Sequence, residues 1–212
     1  MLAKPMNVIP ALVIVLAMAG SGYFLGRQFS DPQSQAGTWQ IGQNTLNVDL
    51  PDLSAIPMTS STGQEVTWGE FSGHFRLVFF GYTFCPDICP LGLSNMVSAL
   101  DLLQERNFDP LPIFVTVDPE RDTPDVVRQY VDAFHDNLVG LVGHTTQTRK
   151  LASGFRAIYE RADDIENSEF YLINHTSYIY LIGPNGDLLD YYDDDIQFEN
   201  LAATIFERIQ QL

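Results

Sequence analysis

The stretch RLVFFGYTF, residues 76–84, most constrains the fold of this chain. It is a continuous apolar run of strand length with no alternation, so both of its faces must be buried, as in the central strand of an α/β sheet. GYTFCPDICP follows at residues 81–90 and holds both cysteines of the chain, Cys85 and Cys89. PLGLSNMVSALDLLQER (90–106) then has apolar residues at helical spacing. The thiols therefore fall at the carboxyl end of a central strand, where open α/β sheets place their sites. Backbone N–H groups at a helix start favour negative charge and lower thiol pKa values.

The rest of the chain extends this pattern. AIPMTSSTGQEVTW (55–68) reads as two short strands about a turn, and LPIFVTVDPE (111–120) as a second buried strand ending at Asp118-Pro119. Thr123 and Pro124 mark a helix start at N-cap and N1. LVGLVG (138–143) is a strand, TTQTRKLASGF opens a helix, and Pro184-Asn185-Gly186 is a hairpin turn between the last strands. FENLAATIFERIQQL closes the chain as an amphipathic helix. The order predicts an α/β domain with a central mixed sheet flanked by helices.

The N-terminus reads as a membrane signal. Between Lys4 and Arg27 there is no charge, and residues 8–26 are mostly apolar. A helix of that length spans about 28 Å, close to a bilayer core. Small residues at Ala17–Ala19 allow a cleaved signal peptide, but the apolar run continues through Leu25 and favours an uncleaved transmembrane helix. The expected organisation is an anchor over 1–26, a polar tether over 27–50, partly ordered around Trp39, and a compact domain over 51–212. Lys4 favours an inside N-terminus, which puts the domain outside the cytoplasm, in a space that permits a disulfide.

The net charge of −16 excludes a nucleic-acid partner, since only Arg149 and Lys150 are adjacent basic residues. Acid is concentrated in residues 161–170 and 187–195, as solvated surface or as a docking face for a basic partner.

Two cysteines with three residues between them have several uses. Placed i, i+4 on a helix, their Cβ atoms lie roughly 5–6 Å apart, whereas a disulfide wants about 3.8 Å. The spacing suits a shared metal and permits a disulfide after a small distortion. Soft thiolates with imidazole suit copper, and two buried core cysteines are the plain structural alternative. Of four histidines, His74, His135 and His144 read as surface or capping residues. His175, at a strand start after an acidic segment, can lean over the thiol turn. Met58 and Met96 are isolated and make no methionine copper track. Asp118 reads either as a turn-forming Asp-Pro or as a group tuning His175 or Arg121.

FFGYTFCPDICP, VTVDPERDTP and NHTSYIYLIGPNG, in that order after an N-terminal anchor, resemble the Sco/SenC family over residues 51–212. The resemblance implies a thioredoxin-like fold and a membrane-anchored copper-binding protein. It implies Cys85, Cys89 and His175 as ligands to one copper ion per chain, Cu(I) or Cu(II). It implies a copper donor protein and cytochrome c oxidase subunit II as partners, with the soluble domain in a bacterial periplasm, anchored in the inner membrane. Cys85 and Cys89 would also reduce the cysteines of the oxidase's dinuclear copper centre. The alternatives are a general extracytoplasmic thiol-disulfide oxidoreductase, a copper or redox sensor, and a peroxidase, for which only Thr83 speaks. Two departures stand out: Phe84, where many relatives carry histidine, and Asn174, where many carry aspartate beside the ligand histidine.

Overall fold

A computed structural model describes residues 50–162 and 171–212. The expected anchor over 1–26, nearly all of the tether, and the acidic stretch 163–170 lie outside the described residues. Among the described residues, no helix is long and apolar enough to cross a membrane.

The central strand forms as the apolar run requires. β3 (Arg76–Gly81) is buried along its whole length. It pairs in parallel with β4 (Leu111–Thr116), which pairs in parallel with β5 (Val139–Val142). On the other side β3 pairs antiparallel with β8 (Tyr178–Ile182), which turns back into β9 (Leu188–Asp193). The turn uses Gly186 at φ +94°, a left-handed conformation that glycine adopts without strain. β1 (Pro57–Ser60) adds antiparallel to β5, and β2 (Glu65–Thr67) to β1. The seven-stranded order is β2-β1-β5-β4-β3-β8-β9.

Alternation along β3 sorts the two faces. Phe79 and its register partner Phe114 point to one side. There α1 (Ile88–Gln104) and α2 (Pro124–Asp132) cover them. A Cβ on Gly92 of α1 would stand 2.8 Å from the Phe79 ring, and Tyr130 of α2 packs 5.4 Å from Phe114. Thr123 caps α2 as expected, its side chain accepting from Val126 N–H. Phe80 points to the other side and meets Phe155, just past α3 (Thr145–Gly154), at 5.3 Å and Tyr180 at 5.8 Å. α4 (Phe198–Ile209) packs beside α1. A mixed sheet flanked by helices in this way matches a thioredoxin-like arrangement.

Two features depart from the sequence reading. The segment after α3 contributes a strand, β6 (Tyr159–Arg161), which pairs with β7 (Ile173–His175) as a ribbon separate from the main sheet. Its three residues are half-buried or exposed, so no apolar pattern marked it. The apolar run also begins with a charge, and Arg76 is 1% exposed.

Candidate metal centre

The cysteine arm starts where β3 ends. A Cβ on Gly81 would lie 2.9 Å from Cys89 Sγ, so the missing side chain lets the sulfur sit against the strand. Cys89 is fully buried and Cys85 half-buried, and both are free thiols. The two sulfurs do not share one helix face, contrary to the expectation from their spacing. α1 begins at Ile88, so Cys89 lies in its first turn while Cys85 sits in the preceding turn. The chain bends back, and Cys89 N–H, a helix-start donor with no partner inside the helix, points at Cys85 Sγ at 3.4 Å. Asp122 fixes the approach to this turn. Its carboxylate accepts from Thr83 N–H at 3.0 Å, Thr83 Oγ1 at 2.6 Å and Thr116 Oγ1 at 2.5 Å.

The histidine arm comes from the β6–β7 ribbon. His175 Nε2 lies 3.3 Å from Cys89 Sγ, across 86 residues of sequence. Its Nδ1 is 3.1 Å from the Thr176 carbonyl oxygen. A carbonyl only accepts, so Nδ1 carries a proton, and in that tautomer the Nε2 lone pair is turned to the sulfurs. The ring stands edge-on to Tyr82 and Phe79. Ile173 N–H donates to the Tyr82 hydroxyl at 3.2 Å, tying the ribbon to the residue that follows β3. Asp118 ties it again, accepting from the Tyr171 hydroxyl at 2.5 Å and pairing with Arg121. Arg121 in turn donates to the Tyr171 carbonyl at 2.9 Å.

Asp118 thus combines its two sequence readings in altered form. Its backbone carbonyl closes the turn to Arg121 and Asp122. Its side chain reaches Arg121, and reaches the histidine arm through Tyr171 rather than through His175. Asn174 is exposed on the outer side of the ribbon, so the group that orients His175 is a backbone carbonyl. Phe84 is 50% exposed, with the Arg121 guanidinium 5.0 Å from its ring centre.

The two thiols are unequal. Hydrogen bonding from Cys89 holds the Cys85 thiol far below the ordinary range against its partial burial. The Cys85 hydrogen bond and burial push Cys89 up. Cys85 is thus the sulfur that bears charge first, and the helix-start effect expected for both is realised in one. One ligand atom from each of Cys85, Cys89 and His175 lies within 4.8 Å of the others. Two soft sulfurs and one oriented imidazole nitrogen fit a copper ion. His74 and His144 are exposed, and His135 stands 3.5 Å from Asp101, so none of them joins this group. Met58 and Met96 are core residues.

The family model for SCO1/SenC matches residues 56–210. The chain belongs to the SCO1/SenC family. An SCO2-like protein of Rickettsia typhi is 30% identical over 92% of this chain and 95% of its own length. The human mitochondrial SCO1 homologue is 35% identical over 70% of this chain and 50% of its own length. Among solved structures, Arabidopsis thaliana ScoI with copper bound shares 31% identity at a TM-score of 0.68, covering 74% of this chain and 97% of that one. Bradyrhizobium japonicum ScoI with copper bound shares 30% identity at 0.64, covering 72% and 96%.

In this SCO1/SenC chain the rim of the site is apolar. Phe84, Ile88 and Leu91, each within two residues of a cysteine, are about half exposed. Exposed large apolar side chains gathered on one rim mark an interaction surface. Sequence reading missed Tyr82, Thr116, Asp122 and Tyr171 as supports. Asp122 follows Asp118 by four residues in VDPERDTP, and that second aspartate was the available signal.

Proposed function

We propose that this chain is a membrane-anchored copper chaperone for cytochrome c oxidase, holding one copper ion on Cys85 Sγ, Cys89 Sγ and His175 Nε2. The observation that carries the reading is the convergence of these three atoms from two separate parts of the chain. The copper-bound ScoI structures support the choice of metal. Copper is cargo. Three protein ligands leave room for a partner's thiol to enter, so transfer proceeds by ligand exchange, with the half-buried Cys85 reached first. The partner in this reading is the dinuclear copper centre of subunit II, and the apolar rim is the surface that meets it. Residues 1–26 anchor the protein in the inner membrane, 27–50 form a tether, and 51–212 stand on the periplasmic side.

The inequality of the thiols favours a second role at the same site. The Cys85 thiolate attacks a partner disulfide to give a mixed disulfide. Cys89, losing its proton, then displaces the partner's remaining sulfur. The partner leaves as a dithiol, and Cys85–Cys89 leaves as a disulfide.

The test uses reduced full-length protein loaded with copper and mixed with a reduced subunit II copper domain. One copper per chain is expected, moving to the partner with its optical signature, and Cys85→Ser abolishes the transfer. Loss of transfer in none of the Cys85, Cys89 and His175 variants would overturn the reading.

A further inference from the structure

The apolar rim beside the cysteines has an acidic edge. Ile88 and Leu91 stand three residues apart at the start of α1, so they share a helix face, and Asn95 continues it. Ile88 is 45% exposed and Leu91 48%. At Asn95 this face meets the turn that follows β9. The Asn95 side-chain amide donates to the Asp194 carbonyl at 2.9 Å, and a Cβ on Gly92 would stand 3.0 Å from Asp194 Cβ. On its other side the turn reaches the segment that carries His175. Asp194 N–H donates to the carbonyl of Ser177, two residues past that histidine, at 3.1 Å. Asp193 is the register partner of Tyr178. Asp193, Asp194 and Asp195 are thus braced between α1 and the chain leaving the histidine arm. Asp193 and Asp195 are exposed and Asp194 is half-buried, and Asp87, between the two cysteines, is exposed as well.

The segments that carry these acids hold no charge to offset them. Residues 77–105, with both cysteines and Asp87, contain no lysine or arginine, and neither do residues 162–207, with His175 and the acidic turn. Among the described residues none of the four carboxylates forms an ion pair. The Arg121 guanidinium, 5.0 Å from the Phe84 ring centre, is already paired with Asp118. Exposed apolar side chains bordered by uncompensated charge have the make-up of a protein interface, an apolar centre with a polar rim. Across such an interface the potentials are complementary.

We propose that this face docks a basic protein partner, one that presents an apolar patch bordered by lysine or arginine beside its own exchanging sulfurs. The inference rests on the copper and thiol exchange of the proposed function and adds what the partner's surface must carry. Ile88 and Leu91 meet the apolar patch. Asp87 and the Asp193–Asp195 turn meet the cations. The acids draw the partner in from a distance, and the apolar contact holds it once water is excluded. An acidic partner is repelled by the same four carboxylates.

Reduced, metal-free full-length protein is mixed with three synthetic peptides that share one internal disulfide and differ in the residues flanking it. The flanks are leucine with lysine, leucine with glutamate, and serine with lysine. At low salt the leucine–lysine peptide should be reduced at least about tenfold faster than the leucine–glutamate peptide, and faster than the serine–lysine peptide. The gap between lysine and glutamate should narrow as added salt screens the attraction. Asp193→Asn, Asp194→Asn and Asp195→Asn together should abolish the lysine preference. Asp109→Asn, Asp132→Asn and Asp136→Asn together remove as much charge near the strand starts and should leave it intact. Leu91→Ser should abolish the preference for leucine over serine. Rate ratios are compared within each variant, so a general change in thiol reactivity cancels. Equal rates for lysine and glutamate peptides, or a lysine preference lost equally in both triple variants, would overturn the proposal. Hydroxyethyl disulfide, small and uncharged, separates the two failures. A wild type that reduces it without preference among the peptides keeps its thiol role and loses this docking face. A wild type that does not reduce it loses both.

Discussion

The cysteine arm and the histidine arm meet at one point but are held in opposite ways. The cysteine arm is part of the core. Cys89 is fully buried, Gly81 makes room for it, and its nearest partner Cys85 is four residues away. The histidine arm hangs outside the main sheet on a ribbon of two three-residue strands. A few side-chain bonds secure it: Tyr82 to Ile173, Asp118 to Tyr171, and Arg121 to the Tyr171 carbonyl. One turn, Asp118 to Asp122, serves both arms, since Asp118 grips the histidine side and Asp122 the cysteine side. Thiol chemistry needs only the rigid arm, whereas holding copper needs both. The two proposed activities are therefore separable by mutation.

The largest separation comes from His175→Ala. Copper(II) affinity should fall by more than the roughly 10–100-fold typical of losing a mere outer-shell partner. The reduction potential of the cysteine pair should stay close to wild type. Chelator competition and thiol redox titration measure the two, and equal damage to both would break the distinction between the arms.

Gly81→Ala attacks the rigid arm. The new Cβ would press on Cys89 Sγ at 2.9 Å and on Phe114 and Phe79 ring atoms at 3.1 Å. Overpacking of this kind costs about 1–3 kcal/mol. Urea unfolding should show that loss, together with a changed thiol potential. A stable variant with wild-type thiols would mean that Cys89 is less tightly seated than its burial indicates.

Tyr171→Phe loosens the flexible arm by one hydrogen bond. At about 1 kcal/mol, copper release should quicken about fivefold, with the thiol potential unmoved. Asp122 sharpens the picture through pH. Burial raises its pKa above the ordinary carboxyl value, against the hydrogen bonds from Thr116 and Thr83. The folded state therefore holds this proton more tightly than the unfolded state. Stability from this group is greatest below the ordinary carboxyl pKa and declines as pH rises through the raised value. Asp122→Asn should flatten that decline in urea unfolding across the acid range. The smallest effect belongs to Asn174→Asp. The side chain is exposed and His175 is oriented by a backbone carbonyl, so copper affinity should change within about twofold, as at ordinary surface positions.

The arms also differ in how far they could be read from the sequence. The cysteine arm was legible because its signals are local: an unbroken apolar strand, a turn with two prolines, and a helical period after it. Even there, the helix start fell two residues early and split the sulfurs between turn and helix. The fold was legible for the same reason, since β3, β4, Thr123-Pro124 and the Pro-Asn-Gly turn each carry local chemistry. The histidine arm was not legible from spacing. β6 is short and polar, and its pairing with β7 depends on residues far apart in the chain. Its place at a strand start singled out His175 among four histidines, but the resemblance of whole motifs was needed to make it a ligand. Tyr171 and Asp122 act through contacts of 53, 39 and 6 residues' separation, which no period reveals. Arg76 was hidden by its neighbours, since a single charge at the edge of an apolar run reads as the end of the strand.

X-ray absorption at the copper edge of full-length protein loaded with one copper ion tests the joining of the two arms most directly. Two sulfur neighbours and one imidazole nitrogen are expected in the wild type, with the nitrogen alone lost in His175→Ala. A wild-type spectrum with two sulfurs and no imidazole, or one unchanged by His175→Ala, would contradict it.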